Sequence, residues 1–236
     1  MDLLLLSTST VHGSGYLEYA RSAIASFFSG VPEVLFIPYA RPGGISHAEY
    51  AARTRGSFLS MGLELVGIHE AADPAGAVAA AEGVFVGGGN TFVLLRDLYE
   101  TGVLPVLRDR ARTGLPYLGS SAGSNVAGLS IGTSNDMPIV LPPSLDALGL
   151  VPFNLNPHYV DPDPASTHMG ETRETRIREF HGWNPQPVLG LREGAMLSVA
   201  GERATVEGKA GARLFRPEAD PVEVAGGTDV SFLLEA

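Results

Sequence analysis

Short, uninterrupted apolar runs alternate with longer amphipathic segments along the first half of the chain. Such runs are typical of strands that are buried on both faces of a parallel sheet. The segments between them carry apolar residues at helical spacing, which predicts helices that cover both faces of that sheet. The predicted strands are residues 3–6, 34–38, 63–66, 83–86 and 115–118, and the predicted helices are residues 15–28, 46–61, 73–81, 91–100 and 104–112.

The second half of the chain has a different pattern. Residues 135–164 are rich in Pro and Asp, which predicts a largely irregular segment. Residues 171–181 form a charged amphipathic helix, and from Val188 onward short Val- and Leu-rich runs separated by glycine predict strands and hairpins. No internal repeat or low-complexity linker divides the chain. We therefore expect a single α/β domain over residues 1–236, built in three layers around a mostly parallel sheet.

Composition and charge exclude several functional classes. The chain has 236 residues, of which 44% are hydrophobic and 18% charged, as expected for a soluble globular domain with a sizeable core. A formal charge of −10 argues against a nucleic-acid partner. Because cysteine is absent, thiolate nucleophiles and thiolate zinc sites are excluded. The apolar run at residues 3–6 is too short for a secretion signal or a membrane span, so we expect a cytoplasmic protein.

One stretch carries the strongest chemical signal. Residues 119–123 fit the pattern G-x-S-x-G, with Ser121 at its centre. They follow a predicted strand and precede a helix that the pattern places from Val126. A sharp strand-to-helix turn of this kind strains its central residue and exposes that residue's hydroxyl near the positive end of a helix. Ser121 is therefore the candidate nucleophile, and Ser120 and Ser124 fit the pattern less well.

A serine nucleophile needs a neighbouring base and an acid that orients the base. Of the six histidines, His158 is the best candidate, because an apolar strand pattern ends at Pro157 just before it. Two acids qualify as its partner. Asp136 comes soon after the nucleophile turn, whereas Glu193 ends a late predicted strand, and the pattern alone does not choose between them.

The glycine-rich loop at residues 87–91 predicts the second part of such a site. It follows a buried strand, and it does not match a dinucleotide fingerprint or a P-loop. The backbone N–H of Ala122, next to the nucleophile, would be one donor to an oxyanion. Gly88 or Gly89 would supply another.

Several motifs in this order resemble the peptidase E family of aspartyl dipeptidases, which lies within the S51 serine peptidases together with the cyanophycinases. The motifs are GGGNTF at residues 87–92, GSSAGSN at 119–125, NDMP at 135–138, NPHY at 156–159 and HMGETR at 168–173.

The resemblance implies a fold similar to that of class I glutamine amidotransferases, with serine in place of their cysteine. It implies hydrolysis of dipeptides with an N-terminal aspartate, without a metal or other cofactor, and it favours a homodimer. The net charge and the short apolar runs already predict no nucleic-acid and no membrane partner. The catalytic residues that it implies are Ser121, His158, Glu193 and Asp136. Glu193 is favoured as the partner of His158, and Asp136 as the group that binds the substrate's amino group. The substrate-binding residues that it implies are Asn90, Thr91, Arg173 and Arg176.

Three alternatives remain open at this stage. One is a metal-dependent hydrolase with ligands from His158, Asp161, Asp163 and His168. Another is a small-molecule sensor that keeps the fold without the chemistry. The third is a cyanophycinase-like exopeptidase that cleaves β-aspartyl-arginine units and would need an acidic pocket.

Overall fold

A seven-stranded sheet forms the centre of the molecule in a computed structural model that describes residues 1–165, 167 and 169–235. Its strands in chain order are β1 (Asp2–Leu6), β2 (Glu33–Ile37), β3 (Glu64–Gly67), β4 (Val84–Val86), β5 (Tyr117–Ser120), β8 (Met196–Ala200) and β9 (Arg203–Glu207). Their order across the sheet is β3-β2-β4-β5-β1-β8-β9. The strands from β3 to β1 are parallel, whereas β8 and β9 are antiparallel.

Helices cover both faces of this sheet. The helices of the structure are α1 (Arg21–Phe27), α2 (His47–Leu59), α3 (Pro74–Ala80), α4 (Thr91–Glu100), α5 (Val103–Arg112), α6 (Ala122–Asn125) and α7 (Arg173–His181). Leu4 and Leu6 of β1 belong to the same apolar cluster as residues of α1 and α2, whereas Leu3 and Leu5 belong to the cluster that includes α4 and α5. The alternation of side chains along a buried strand produces these two layers. The predicted three-layer α/β fold is thus confirmed.

A second, four-stranded sheet is formed by strands from the second half of the chain. Its strands are β6 (Asn154–Tyr159), β7 (Val188–Arg192), β10 (Ala212–Phe215) and β11 (Val222–Val224), in the order β11-β10-β7-β6. Residues 135–164 were predicted to be largely irregular, but β6 lies within this range. The apolar pattern that ends at Pro157 predicted this strand, and the rest of the range contains no other strand or helix. Proline at position 157 is compatible with a strand at the edge of a sheet, as β6 is.

The helix after the nucleophile turn also differs from the prediction. It spans Ala122–Asn125 and does not begin at Val126. The carbonyls of Val126 and Ala127 accept N–H groups from Leu148 and Leu150, so a neighbouring loop replaces the next helical turn.

The parallel strands end where the predicted motifs begin. β4 and β5 are neighbours, and this places the glycine-rich loop beside Ser121 at one edge of the sheet. β1 lies on the other side of β5, so that its exit at Ser7 completes the same edge. Catalytic groups commonly collect at the carboxyl ends of parallel strands.

Among the described residues, no helix has the length and apolar character needed to cross a membrane.

Candidate active site

Ser121 occupies a strained turn between β5 and α6. Its φ of 53° and ψ of −110° are unusual for a residue with a side chain. The residues around it are small because space is short: a Cβ at Gly119 would lie 2.6 Å from the carbonyl oxygen of Gly123, and one at Gly123 would lie 2.1 Å from that of Val86. The Ser121 N–H donates to the Leu6 carbonyl at 3.0 Å, which ties the turn to β1.

Ser121, His158 and Glu193 form a continuous hydrogen-bonded chain. Oε1 of Glu193 lies 2.8 Å from Nδ1 of His158, and Nε2 of His158 lies 3.0 Å from Oγ of Ser121. Since an ionised carboxylate only accepts hydrogen bonds, Nδ1 carries the proton, and Nε2 accepts from the serine hydroxyl. The order nucleophile, base and acid is that of a serine hydrolase triad.

A bulge in β6 delivers the imidazole to this position. The pairing of β6 with β7 changes register between Pro157 and Tyr159, and His158 has a φ of 55°. The backbone N–H of His158 donates to Oγ of Ser7 at 2.9 Å, and the Ser7 hydroxyl in turn donates to the Leu191 carbonyl at 2.8 Å. Through these two hydrogen bonds the fully buried Ser7, which follows β1, links β1 to His158 of β6 and to Leu191 of β7.

Asp136 lies in the site but not against His158. Its Oδ2 accepts hydrogen bonds from the N–H of Thr91 at 2.8 Å and from the Thr91 hydroxyl at 2.6 Å. This places a half-buried carboxylate at the N-terminus of α4, where the helix dipole favours a negative charge. Asp136 lines a small cavity together with Ser121 and His158, so it can bind a cationic group next to the nucleophile.

The predicted oxyanion donors surround the nucleophile. A Cβ on Gly88 would lie 3.0 Å from Cβ of Ser121, which shows how closely the loop approaches. In the part of the chain that the structure describes, the N–H groups of Gly88, Gly89 and Ala122 have no acceptor. They are therefore available to a developing negative charge. Tyr50 holds this loop, since its buried hydroxyl donates to the Gly88 carbonyl at 3.1 Å.

The four predicted substrate-binding residues have different environments. Asn90 caps α4 by accepting from the N–H groups of Phe92 and Val93, and its amide donates to the Met137 carbonyl. Thr91 has its hydroxyl committed to Asp136. Thr91 also lines the small cavity beside Ser121. Direct contacts of Asn90 and Thr91 with the substrate stay a prediction.

The two arginines of α7 that were predicted to bind substrate also differ from each other. Nε of Arg176 lies 3.5 Å from Oε2 of Glu171, and both side chains are exposed. Arg173 is half-buried and, among the described residues, has no ion-pair partner. Burial and the nearby Arg176 lower the pKa of Arg173, while the charge of Asp136 opposes that shift. Arg173 lines a cavity of about 610 Å³ next to Asn135 and is the better candidate to bind an acidic group.

One of the four ligands of the metal-site alternative, Asp161, is bound within the protein. Both carboxylate oxygens of Asp161 accept from the guanidinium of Arg192, at 2.6 and 2.8 Å. The described residues contain no group of three or more His, Cys, Asp or Glu side chains that could hold a metal ion. His168, which that alternative also required, lies outside the described residues.

Two residues of the site escaped the sequence analysis. Ser7 and Tyr50 position the base and the glycine-rich loop, respectively. Neither belongs to a motif, because each acts through a contact with a segment far away in the chain. The polar residues that follow the apolar run of β1 were the only available signal for Ser7.

Comparison with known proteins points to one family. The model of peptidase family S51 matches residues 3–207. Peptidase E of Streptomyces coelicolor is 53% identical over 235 residues, covering 100% of this chain and 96% of the relative. A Drosophila melanogaster protein named "Probable alpha-aspartyl dipeptidase" is 48% identical over 237 residues, with coverage of 99% and 98%.

A solved structure agrees in fold. A peptidase from an acI-B1 Actinobacterium superposes with a TM-score of 0.73 at 17% identity, covering 98% of this chain and 96% of that one. The predicted family resemblance is thus confirmed, and the chain belongs to peptidase family S51.

Proposed function

We propose that the protein is a serine-type dipeptidase that hydrolyses dipeptides with an N-terminal aspartate. The observation that supports the mechanism most directly is the chain from Ser121 through His158 to Glu193, with distances of 3.0 and 2.8 Å. The specificity is supported by the names of the full-length relatives, peptidase E and α-aspartyl dipeptidase. These names favour cleavage of α-aspartyl dipeptides over the cyanophycinase-like, metal-dependent and sensor alternatives.

In this mechanism Ser121 attacks the carbonyl carbon of the aspartyl residue while His158 accepts its proton. The tetrahedral oxyanion is bound by the N–H groups of Ala122 and of Gly88 or Gly89. His158 then donates its proton to the leaving amine, and the C–N bond breaks to form an acyl-enzyme on Ser121. A water molecule, activated by His158, releases aspartate and restores the serine. Glu193 holds the imidazole in the tautomer that this sequence needs.

The charges around the nucleophile match those of the substrate. Asp136 is a fixed anion for the free amino group, and Arg173 is a cation for the aspartyl side chain. An arginine can bind a carboxylate through two parallel hydrogen bonds, which distinguishes aspartate from its amide. The cytoplasmic location and the homodimer stay predictions of the sequence analysis, and the homodimer is supported by the family resemblance.

Replacement of the nucleophile tests the proposal. We expect Ser121→Ala to lower kcat for Asp-Leu by a factor on the order of 10⁴ or more, because the acyl-enzyme cannot form. The measurement is the initial rate of leucine release at saturating substrate, with and without a chelator. Labelling by a serine-directed phosphonate should disappear in parallel.

Ser124→Ala is the matched control. Ser124 lies in the same turn and is equally small, but its buried hydroxyl donates to the Leu6 carbonyl. This variant should stay within about tenfold of the wild-type rate, since one neutral hydrogen bond contributes about 1 kcal/mol. Full activity in Ser121→Ala, or loss of activity with chelator alone, would contradict the serine mechanism.

A further inference from the structure

A second cavity opens onto the nucleophile and shares no lining residue with the cavity of Arg173. It has a volume of about 310 Å³. Its wall is formed by the loop after β1, by Tyr16, by α2 and by the glycine-rich loop. It also includes Ser121, Asp136 and His158, which line the small cavity as well. A substrate whose carbonyl lies at Ser121 therefore has space in this cavity for a group that the cavity of Arg173 does not hold.

Arg53 of α2 is the cation of this second cavity. Its guanidinium carbon lies 4.9 Å from the centre of the Tyr16 ring. Among the described residues no carboxylate lies within ion-pair distance of Arg53, whereas Arg55, two positions later, pairs with Glu70 at 2.7 Å. The Tyr16 ring thus orients the guanidinium without neutralising it. Its hydrogen-bond donors remain available to an anion.

The carboxylate of this cavity is Asp136, which also lines the small cavity beside Ser121, and the wall around Arg53 is formed by the two phenols of Tyr16 and Tyr50. Burial raises the pKa of Tyr16 and raises that of Tyr50 well above its ordinary value, so both phenols are neutral at physiological pH. Tyr50 lies one helical turn before Arg53 and fixes the loop that carries Gly88. Arg53 is therefore built onto the same rigid support as the oxyanion loop.

Substrate chemistry supplies a matching anion. If the aspartyl residue lies between Asp136 and Arg173, the leaving residue extends away from the cavity of Arg173. In a dipeptide its α-carboxylate is only two bonds from the scissile nitrogen, and a carboxylate that enters a partly enclosed cavity needs a cationic partner. In a longer peptide or an amide, a neutral group stands at this point.

We propose that Arg53 binds the free α-carboxylate of the leaving residue and thereby selects dipeptides over longer or amidated substrates. This inference rests on the proposed aspartyl dipeptidase function, which it extends by a binding site for the second residue. Arg53 is a specificity-determining residue, since it contacts the substrate away from the reacting atoms.

The test compares Asp-Leu with Asp-Leu amide, which differ only in the charge of the terminal group. For the wild-type chain we expect kcat/KM to be about fivefold higher for Asp-Leu, a size typical of a solvent-accessible ion pair. Arg53→Gln should lower kcat/KM for Asp-Leu about fivefold, mainly through KM, and leave the amide within about twofold. Arg53→Lys should recover part of the loss, and added salt should weaken the wild-type preference.

Arg55→Gln is the control for removal of one positive charge from the same helix, and it should alter the ratio of the two substrates by less than about twofold. An equal loss on both substrates in Arg53→Gln, or no loss on either, would overturn the role of Arg53 while leaving the dipeptidase function intact. A wild-type chain that cleaves neither substrate would instead overturn both proposals.

Discussion

Two non-glycine residues of the site, Ser121 and His158, have φ values of 53° and 55°. Backbone strain of this kind costs about 1–3 kcal/mol for each residue and persists only when the surroundings hold it. Here the backbone N–H of Ser121 donates to the Leu6 carbonyl, and the backbone N–H of His158 donates to the Ser7 hydroxyl. Consecutive residues at the end of β1 thus hold the nucleophile and the base in register with each other.

At this scale the two acids of the site predict different kinetic effects. Glu193→Gln should lower kcat for Asp-Leu about a hundredfold or more, because the imidazole loses the partner that selects its tautomer. Asp136→Asn should mainly raise KM, because the amino group of the substrate loses its counter-ion. Steady-state kinetics of both variants check this. A large fall in kcat for Asp136→Asn together with an unaltered Glu193→Gln would reverse the assignment.

At the scale of elements, the site depends on how the four-stranded sheet docks against the central one. β6 carries His158, and β7 ends at Arg192 just before Glu193. Arg192 of β7 binds Asp161, two residues after the end of β6, and Glu223 of β11, so one guanidinium links two strands and the segment that follows β6. Hydrogen bonds from Arg192 lower the pKa of the Asp161 carboxyl below its ordinary value of 3.8.

This shift predicts a pH-dependent contribution to stability. A carboxyl with a lowered folded-state pKa contributes stability above its unfolded pKa and loses that contribution as the pH falls through the folded value. Asp161→Asn should therefore lower the free energy of unfolding at pH 7 by about 0.5–1 kcal/mol, since the pair is partly exposed to solvent. The difference should shrink below about pH 4. Urea unfolding between pH 2 and 7 measures it, and a difference independent of pH would contradict the argument.

At the scale of the whole molecule, one apolar cluster is shared by the two sheets. Leu3 and Tyr117 of the central sheet belong to the same cluster as Leu155, Leu189 and Leu214 of the second sheet. Since both sheets bury side chains in this common cluster, we propose that residues 1–236 form one domain that unfolds cooperatively.

Truncation of a shared residue tests this proposal. Leu155 is fully buried in β6, and Leu155→Ala should lower the free energy of unfolding by about 2–5 kcal/mol. The Tm should fall by about 10 °C in a single calorimetric transition that includes both sheets. Leu141→Ala, at a side chain that is 85% exposed, should alter stability by less than about 0.5 kcal/mol. Two separate transitions would contradict a single domain.

Local patterns along the chain were sufficient to predict much of this protein. Apolar runs and helical periodicity predicted the parallel strands and the helices of the first half, because burial on one or both faces leaves a periodic trace. The G-x-S-x-G pentapeptide predicted Ser121 as the candidate nucleophile, because a sharp turn needs small residues at fixed positions. The other motifs, in their order along the chain, indicated the S51 family.

Contacts between distant segments required the three-dimensional structure. The family resemblance favoured Glu193 over Asp136 as the partner of His158, but the contact itself follows from the pairing of β6 with β7, which no local pattern encodes. The same holds for Ser7 under the imidazole, for the commitment of Asn90 and Thr91 to helix α4 and Asp136, and for Arg53 at the second cavity. Each of these depends on which strand ends meet, and that is set by the packing of the whole core rather than by any one segment.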